Sequence, residues 1–445
     1  MRSSRTSESP ETASSSAEDE PFADEDCTVN TRATYLFVTP WSVTDVGGVN
    51  QVVLNLYHEF QARGVYTPRL LVMSWSHVRA VTILESGRAV TYMRIRAPVA
   101  SAGPARALAK WAVFLFPDLS QISRFYRSHC VDFVNVHYPS LAALQFVLAG
   151  WLCRRRPKLI LSFHGLDLVQ ASRSRGLERW MWKLLLRQAD AVVTCSNAFK
   201  GTLLAFEPTI AARATVVHNG ANARDLIRSR NMSARLDSRL QGRRFILSVA
   251  SYEFKKGLDT LLLALKSVRE EHHVDAALAL VGPDLGVGDE LKALAIEIGV
   301  SEHAIFCGPI PHRDLHVYYE AAEIFCLPSR WEPFGIVLLE AGVFRCPVVA
   351  TCVGGIPEIL EHDVNARLVS PDDPVVLAAE LQRLLGDKGE RERLSNALYE
   401  RVQDQFAWAK AHRSYMRLLY RIARTLDISK QASELAGAQK VRGEE

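Results

Sequence analysis

Glu332 and Glu340, the ends of EPFGIVLLE, are two carboxylates whose setting points to chemistry. Glu340 falls inside the almost wholly apolar stretch PSRWEPFGIVLLEAGVFRCPVVAT, where an ionised side chain needs partners. The pattern predicts a helix over Phe334–Phe344, between strand-like FCLP and PVVAT. Glu332 then sits just ahead of its N-terminus, with Glu340 about two turns along on nearly the same face. Between them the N–H groups of Phe334, Gly335, Ile336 and Val337 are helix-start donors without intrahelical partners. Such donors, with the helix dipole, favour a phosphate. Glu340 suits vicinal hydroxyls such as a ribose diol, and Glu332 suits a sugar carried by that phosphate. The competing reading makes Glu332 a helix cap and Glu340 a structural contact.

Further candidates fall where apolar runs end. Gly47-Gly48 in PWSVTDVGGVNQ allows a close backbone approach to a ligand, or simply a tight turn. His137 ends one run in VHYP, and His164 and Asp167 follow another in FHGLDL; a histidine at a strand end is more often a satisfied structural group, and two on one rim strengthen the functional reading. Lys255 and Lys256 precede a helix pattern that starts near Gly257, where cations oppose the helix dipole unless an anion binds there. With the Glu332–Glu340 segment at the parallel position of a later strand, these parts form a diphosphate cradle. Other patterns are weak. GVGDEL (286–291) opens like a dinucleotide fingerprint but has Leu291 at the last glycine position. His312 and His316 have no evident third metal ligand, and Asp24-Glu25-Asp26, the one D-x-D triplet, lies in a polar N-terminal stretch. There is no G-x-S-x-G elbow and no P-loop.

The elements that must position these residues alternate along the chain. Apolar runs at 34–39, 69–74, 90–95, 132–136, 158–163, 190–195 and 214–217 read as buried strands, and amphipathic stretches such as 50–64 as helices. A polar, Arg-rich stretch at 224–243 reads as a linker. The alternation then restarts at 244–249, 276–282, 304–308, 323–328, 347–351 and 366–369. Strand–helix alternation implies α/β units with parallel sheets covered on both faces. Two such units, 34–223 and 244–405, imply a cleft between facing sheets, with ligands at the strand C-terminal ends.

The chain has 445 residues, 48% hydrophobic and 23% charged, which is ordinary for a soluble globular protein. Its net charge of +4 hides an asymmetry. Residues 1–26 carry two Arg and eight Asp or Glu, leaving 51 basic against 41 acidic side chains in the body. A basic body suits anionic partners; nucleic acid fits poorly, with no basic helix or zinc-knuckle spacing. Residues 1–33 read as a disordered acidic tail without the apolar core of a signal peptide, and 426–445 as a flexible tail. The scattered cysteines, none in a C-x-x-C pair, suit reduced thiols in a cytoplasm. ALAKWAVFLFP (107–117) and RRRPK (154–158) suit a peripheral contact with the inner face of an anionic membrane, or else a core helix and a solvated turn.

Taken in order, the early GGV loop, HGLDL, VVHNGAN, KKGLDTLLLA, CGPIPHRDLHVYYEAAEIFCLPS, E-x7-E, PVVAT and GGIPE resemble the retaining glycosyltransferases of family four, over residues 34 to 420. The resemblance implies a GT-B fold of two Rossmann-like domains and transfer of a hexosyl unit from a nucleotide-diphosphate sugar to an acceptor hydroxyl with retained configuration. Polysaccharide, glycolipid or other glycoconjugate synthesis is the implied setting. It implies Lys256 on the phosphates, Glu332 by the donor sugar, Glu340 on the ribose, and the N–H groups of Gly335, Ile336 and Val337, joined by Gly47 and Gly48, on the diphosphate. Gly308 to Ile310 would line the base and His164 would lie beside the transferred sugar. His137 and Asp167 are candidates for the acceptor side, the acceptor being a carbohydrate or a lipid-linked one. No metal or other cofactor is implied, and the last helix, near 406–425, would cross back to the first domain. One departure is Val249-Ala250-Ser251, where the family commonly has a basic G-R-x element; it leaves one fewer positive charge at the diphosphate. A sugar-nucleotide epimerase on the same fold and a non-catalytic sugar-nucleotide-binding protein are the alternatives.

Overall fold

The computed structural model describes residues 32–42, 48–74, 77, 79–97, 104–221, 234–271 and 274–424. Gly47, the acidic tail to residue 31, the first half of the linker (224–233) and everything after 424 lie outside the described residues.

β1 (Thr34–Thr39) is buried along its whole length, so TYLFVT needs no polar alternation. Around it run β2 (Thr67–Met73), β3 (Val81–Glu85), β4 (Arg88–Met93), β5 (Val131–His137), β6 (Lys158–Phe163), β7 (Ala191–Thr194) and β8 (Ala214–Val216). Their order is β3-β4-β2-β1-β5-β6-β7-β8. All neighbours pair in parallel except β3 with β4. The strand β3 was not expected. Its side chains are mostly exposed and carry no burial signature. It is held as a hairpin by Ser86 (φ 49°) and Gly87 (φ 78°), the left-handed pair that a two-residue hairpin turn demands.

The second sheet is wholly parallel: β9 (Phe245–Val249), β10 (Ala277–Val281), β11 (Ala304–Gly308), β12 (Ile324–Leu327), β13 (Val348–Thr351) and β14 (Arg367–Val369), ordered β11-β10-β9-β12-β13-β14. In both sheets the order reverses beside the first strand, which opens a crevice at the strand C-terminal ends. Helices α1 (Gly48–Arg63), α2 (Pro104–Ser128), α3 (Leu144–Trp151), α4 (Leu166–Arg173), α5 (Gly176–Gln188) and α6 (Asn197–Phe206) accompany the first sheet.

The chain then returns. Residues 408–424 are helical, and Trp408, Ala411, Tyr415, Leu418, Leu419 and Ile422 share one apolar cluster with Tyr35, Phe37, Val53 and Phe60 of the first unit. Entry is tight: Ala221 N–H donates to the Phe406 carbonyl at 2.7 Å, and a Cβ on Gly220 would lie 2.7 Å from the Trp408 nitrogen. Among the described residues Cys153, Cys195, Cys307, Cys326, Cys346 and Cys352 are free thiols.

Candidate active site

Lys256 is placed by a short turn. After β9 the chain makes a 3-10 turn, Phe254–Lys256, that ends on Gly257 at φ 64°; the helix Leu258–Glu270 follows. Only glycine fits there, since an added Cβ would sit 2.1 Å from the Pro328 carbonyl oxygen. Lys256 Nζ donates to Glu332 Oε2 at 2.7 Å, with the two side chains 16% and 10% exposed. Backbone and guanidinium bonds interlock the two loops. The Lys255 carbonyl accepts from Arg330 N at 2.8 Å, and the Arg330 guanidinium binds Asp259 (2.8 Å) and Asp372 (2.6 Å) while lying 4.1 Å over the Phe254 ring. Behind Glu332, Gly355 N–H donates to its carbonyl, and a Cβ on Gly354 would lie 2.0 Å from that oxygen.

The expected helix over Phe334–Phe344 is shorter, Ile336–Val343, because Gly335 caps it in the left-handed region at φ 95°. The Phe334 ring stacks on His218 instead (5.6 Å, 18°). Glu340, 6% exposed, accepts from His312 Nε2 at 2.8 Å and from Tyr319 Oη at 2.9 Å. Burial would lower the His312 pKa, but its bond to Glu340 and that carboxylate's charge carry it above the ordinary value. Burial, then the Glu340 charge, push Tyr319 well up. His316 Nδ1 instead meets the Arg313 carbonyl, so the two histidines do not share a ligand. The glycines of GVGDEL are spent on Asp284, whose carboxylate accepts from Gly286, Val287 and Gly288.

Opposite, α1 begins at Gly48, where a Cβ would lie 3.9 Å from Ile336 Cδ1, so two helix N-termini face each other. His164 follows β6. Its backbone N–H donates to Asp167, which also accepts from Gly165 (2.7 Å) and Leu168 (2.9 Å). Asp167 is 1% exposed, and burial raises its carboxyl to about 6 against the lowering effect of those bonds. His137, the last residue of β5, is 0% exposed and bonds His164 Nε2 through Nδ1 at 3.0 Å. Neither His137 nor Asp167, the candidates for the acceptor side, is among the residues lining the cavity between the halves. Both are buried, His137 on His164 and Asp167 on the backbone of its own turn.

Between the halves lies a cavity of about 480 Å³, within the range of small-molecule sites. Gly48, Tyr138 and His164 line it from one side, and Ser251, Lys256, Ile310, Glu332, Phe334, Gly335, Ile336, Val337 and Glu340 from the other. Gly308 is not on its wall; at φ 70° it turns the chain so that Pro309 and Ile310 are. Where a basic residue was expected, Ser251 Oγ and Lys255 Nζ both hold Glu253, at 2.6 and 2.8 Å. Sequence reasoning missed Arg330, Tyr319 and Glu358. The last of these caps α6 across the cleft through Asn197 and Ala198 N–H and meets His218 at 2.8 Å. Its GGIPE setting was the available signal.

Comparison with known proteins agrees with this geometry. Residues 46–225 match the model of Glycosyltransferase Family 4, and 234–401 that of Glycosyl transferases group 1. A D-inositol 3-phosphate glycosyltransferase of Corynebacterium diphtheriae is 25% identical over 86% of this chain and 92% of its own. An uncharacterized glycosyltransferase of Methanocaldococcus jannaschii is 26% identical over 67% and 77%. A D-inositol 3-phosphate glycosyltransferase of Xylanimonas cellulosilytica reaches 35% identity, over 44% of this chain and 45% of its own. Among solved structures, sucrose-phosphate synthase of Thermosynechococcus elongatus superimposes with a TM-score of 0.67 at 21% identity, over 88% of this chain and all of that one. HepE of Anabaena with UDP and glucose superimposes with a TM-score of 0.68 at 18% identity, over 87% and 99%. With two facing parallel-sheet domains and matches on both of them, this chain belongs to the group 1 glycosyltransferases of the family four type, on the GT-B fold.

Proposed function

We propose that the protein moves a hexosyl unit from a nucleotide-diphosphate sugar to an acceptor hydroxyl with retention of anomeric configuration and without a metal. The observation that carries this is the Lys256–Glu332 ion pair, set beside an uncovered helix N-terminus inside the cavity. A diphosphate arriving at Ile336 and Val337 competes for Lys256. The carboxylate of Glu332 is then released toward the sugar hydroxyls, while Glu340 holds the ribose. As the bond from the anomeric carbon to the phosphate oxygen breaks, charge grows on the diphosphate, where fixed N–H donors and Lys256 stabilise it. The acceptor oxygen bonds the anomeric carbon on the same face, and its proton passes to the departing phosphate oxygen. Facing domains exclude water from that step.

HepE, solved with UDP and glucose, makes uridine diphosphate the first nucleotide to try. The test offers UDP-, GDP- and ADP-sugars with and without acceptor saccharides and lipids, and reads the product's anomeric configuration by proton NMR. Inversion at the anomeric carbon overturns retention. Conversion of the donor in the absence of any acceptor supports an epimerase. Tight binding without turnover supports a binding protein.

We propose further that the acceptor is carried at an anionic bilayer. On α2, Val113 and Phe116 are 70% and 78% exposed, and the basic Arg124 and Arg127 are exposed further along the same helix. Apolar side chains with basic neighbours suit a headgroup boundary. Among the described residues no helix is long and apolar enough to cross a membrane.

A further inference from the structure

Behind His164 a line of buried polar side chains runs to the returning C-terminal helix. Tyr415 Oη lies 3.1 Å from Ser162 Oγ, and Ser162 Oγ donates to Asn135 Oδ1 at 2.8 Å. Asn135 Nδ2 contacts Tyr35 Oη (2.9 Å) and His137 Nε2 (3.0 Å), and His137 Nδ1 contacts His164 Nε2 (3.0 Å). The two imidazoles are nearly parallel, at 17° and 5.2 Å between centroids, which puts the nitrogen–nitrogen contact in the ring planes as an N–H···N bond needs.

Asn135 Nδ2 faces Tyr35 Oη and His137 Nε2, its Oδ1 accepts from Ser162 Oγ, and the amide also meets Tyr415. An amide nitrogen donates and does not accept, so it gives a hydrogen to the ring nitrogen it faces. His137 Nε2 therefore accepts. Its own proton is on Nδ1 and is donated to His164 Nε2, so the proton of a neutral His164 is on Nδ1. Burial pushes His164 down to about 4 and, with the neighbouring His164, His137 well below its ordinary value, so both rings are neutral near pH 7.

We propose that the chain Tyr415–Ser162–Asn135–His137 locks His164 as its Nδ1–H tautomer, which makes His137 a positioning residue. His164 then gives a hydrogen bond to a substrate oxygen in the cleft and cannot take a proton there. This rests on the transferase reading only for the identity of that oxygen, one belonging to the sugar being moved. It removes His164 as a general base and leaves the departing phosphate as the acceptor of the proton.

The test has two arms. In full-length protein labelled with 15N-histidine, the His164 signals are found by difference from His164→Gln; the expected result at pH 7 is a protonated Nδ1 and a bare Nε2. An Nε2–H tautomer or an imidazolium overturns the proposal. In the second arm, His137→Phe keeps a ring on Phe37 but gives no proton. It is expected to lower kcat/KM for transfer about 10-fold, as for one lost donor, with the nucleotide's Kd unchanged. His137→Asn, whose amide N–H falls where Nδ1 was, restores the rate. Equal rates in His137→Phe and the native chain overturn the positioning role. A native chain that transfers no sugar fails the transferase reading alone, since the NMR arm still decides the tautomer.

Discussion

The two walls of the cleft are stabilised by different means. The second domain holds its wall with charge: Lys256 on Glu332, His312 on Glu340, and Arg330 on Asp259 and Asp372. The first domain holds its wall with neutral groups, the line from Tyr415 to His164, and spends the Asp167 carboxyl on backbone N–H groups. An ion pair at rest is a reservoir that an incoming anion can open, because phosphate replaces the carboxylate on the lysine. A neutral relay has no such exchange to make and serves orientation. The charged wall thus suits the group whose charge changes during reaction, and the neutral wall the group that must only be aimed.

The sharpest way to break this contrast is to remove the charge. Lys256→Ala is expected to lower kcat/KM by about 10²–10³, the loss typical of one donor on a developing anion, and Glu332→Ala by a similar factor. Each leaves its former partner charged and only partly exposed, so thermal melts belong beside the kinetics; a rate within a few-fold of native in either variant sinks the assignment. Gly354→Ala acts one step back. It sets a Cβ against the Glu332 carbonyl in a left-handed residue (φ 53°), and a cost of about 1–3 kcal/mol is expected. Urea unfolding should show that loss together with weaker nucleotide binding. An unchanged midpoint would mean that the loop has room to move.

A smaller effect distinguishes the walls by pH. Folding raises the His312 pKa above its ordinary 6.5 because Glu340 holds the proton on it. The folded state therefore binds that proton more tightly than the unfolded chain does. The stabilisation is complete below the ordinary value and fades as pH rises through the higher folded value. Glu340→Gln keeps the shape and removes the charge, so the fall in stability from pH 6 to pH 8 should shrink by about 1 kcal/mol, of the order of one charge-assisted hydrogen bond. Denaturant titrations at the two pH values measure it, and an identical slope in the variant would show that His312 is not the group responsible.

These features were unequally legible before the fold was known. Buried strands such as TYLFVT and KLILSF announce themselves as unbroken apolar runs, and Lys256, Glu332 and Glu340 as charges where charge is costly. The edge strand β3 has no such signature, as its side chains face solvent. The relay was hidden for another reason. Ser162 and Tyr415 lie 253 residues apart and Asn135 and Tyr35 lie 100 apart, so no local pattern links them. His137 and Asp167 were visible as polar residues at strand ends, yet which way each faces is a matter of packing. Arg330 carries no local signal, because its partners Asp259 and Asp372 lie 71 and 42 residues away.

The least disturbance to chemistry is expected at Phe116, which is 78% exposed on α2 and is not among the residues lining the cavity. Phe116→Glu removes an apolar contact and adds a negative charge. Folding stability should move by no more than about 0.5 kcal/mol, as for an ordinary surface change, and the rate with a water-soluble acceptor should not move. Binding to vesicles containing anionic lipid should fall about 10-fold, since a buried phenyl ring and a repelled charge act in the same direction there. Flotation of the native chain and the variant on neutral and anionic vesicles separates the contributions. A native chain that stays at the bottom of the gradient with both lipids removes the membrane from the account, and leaves the acceptor to be sought among soluble saccharides.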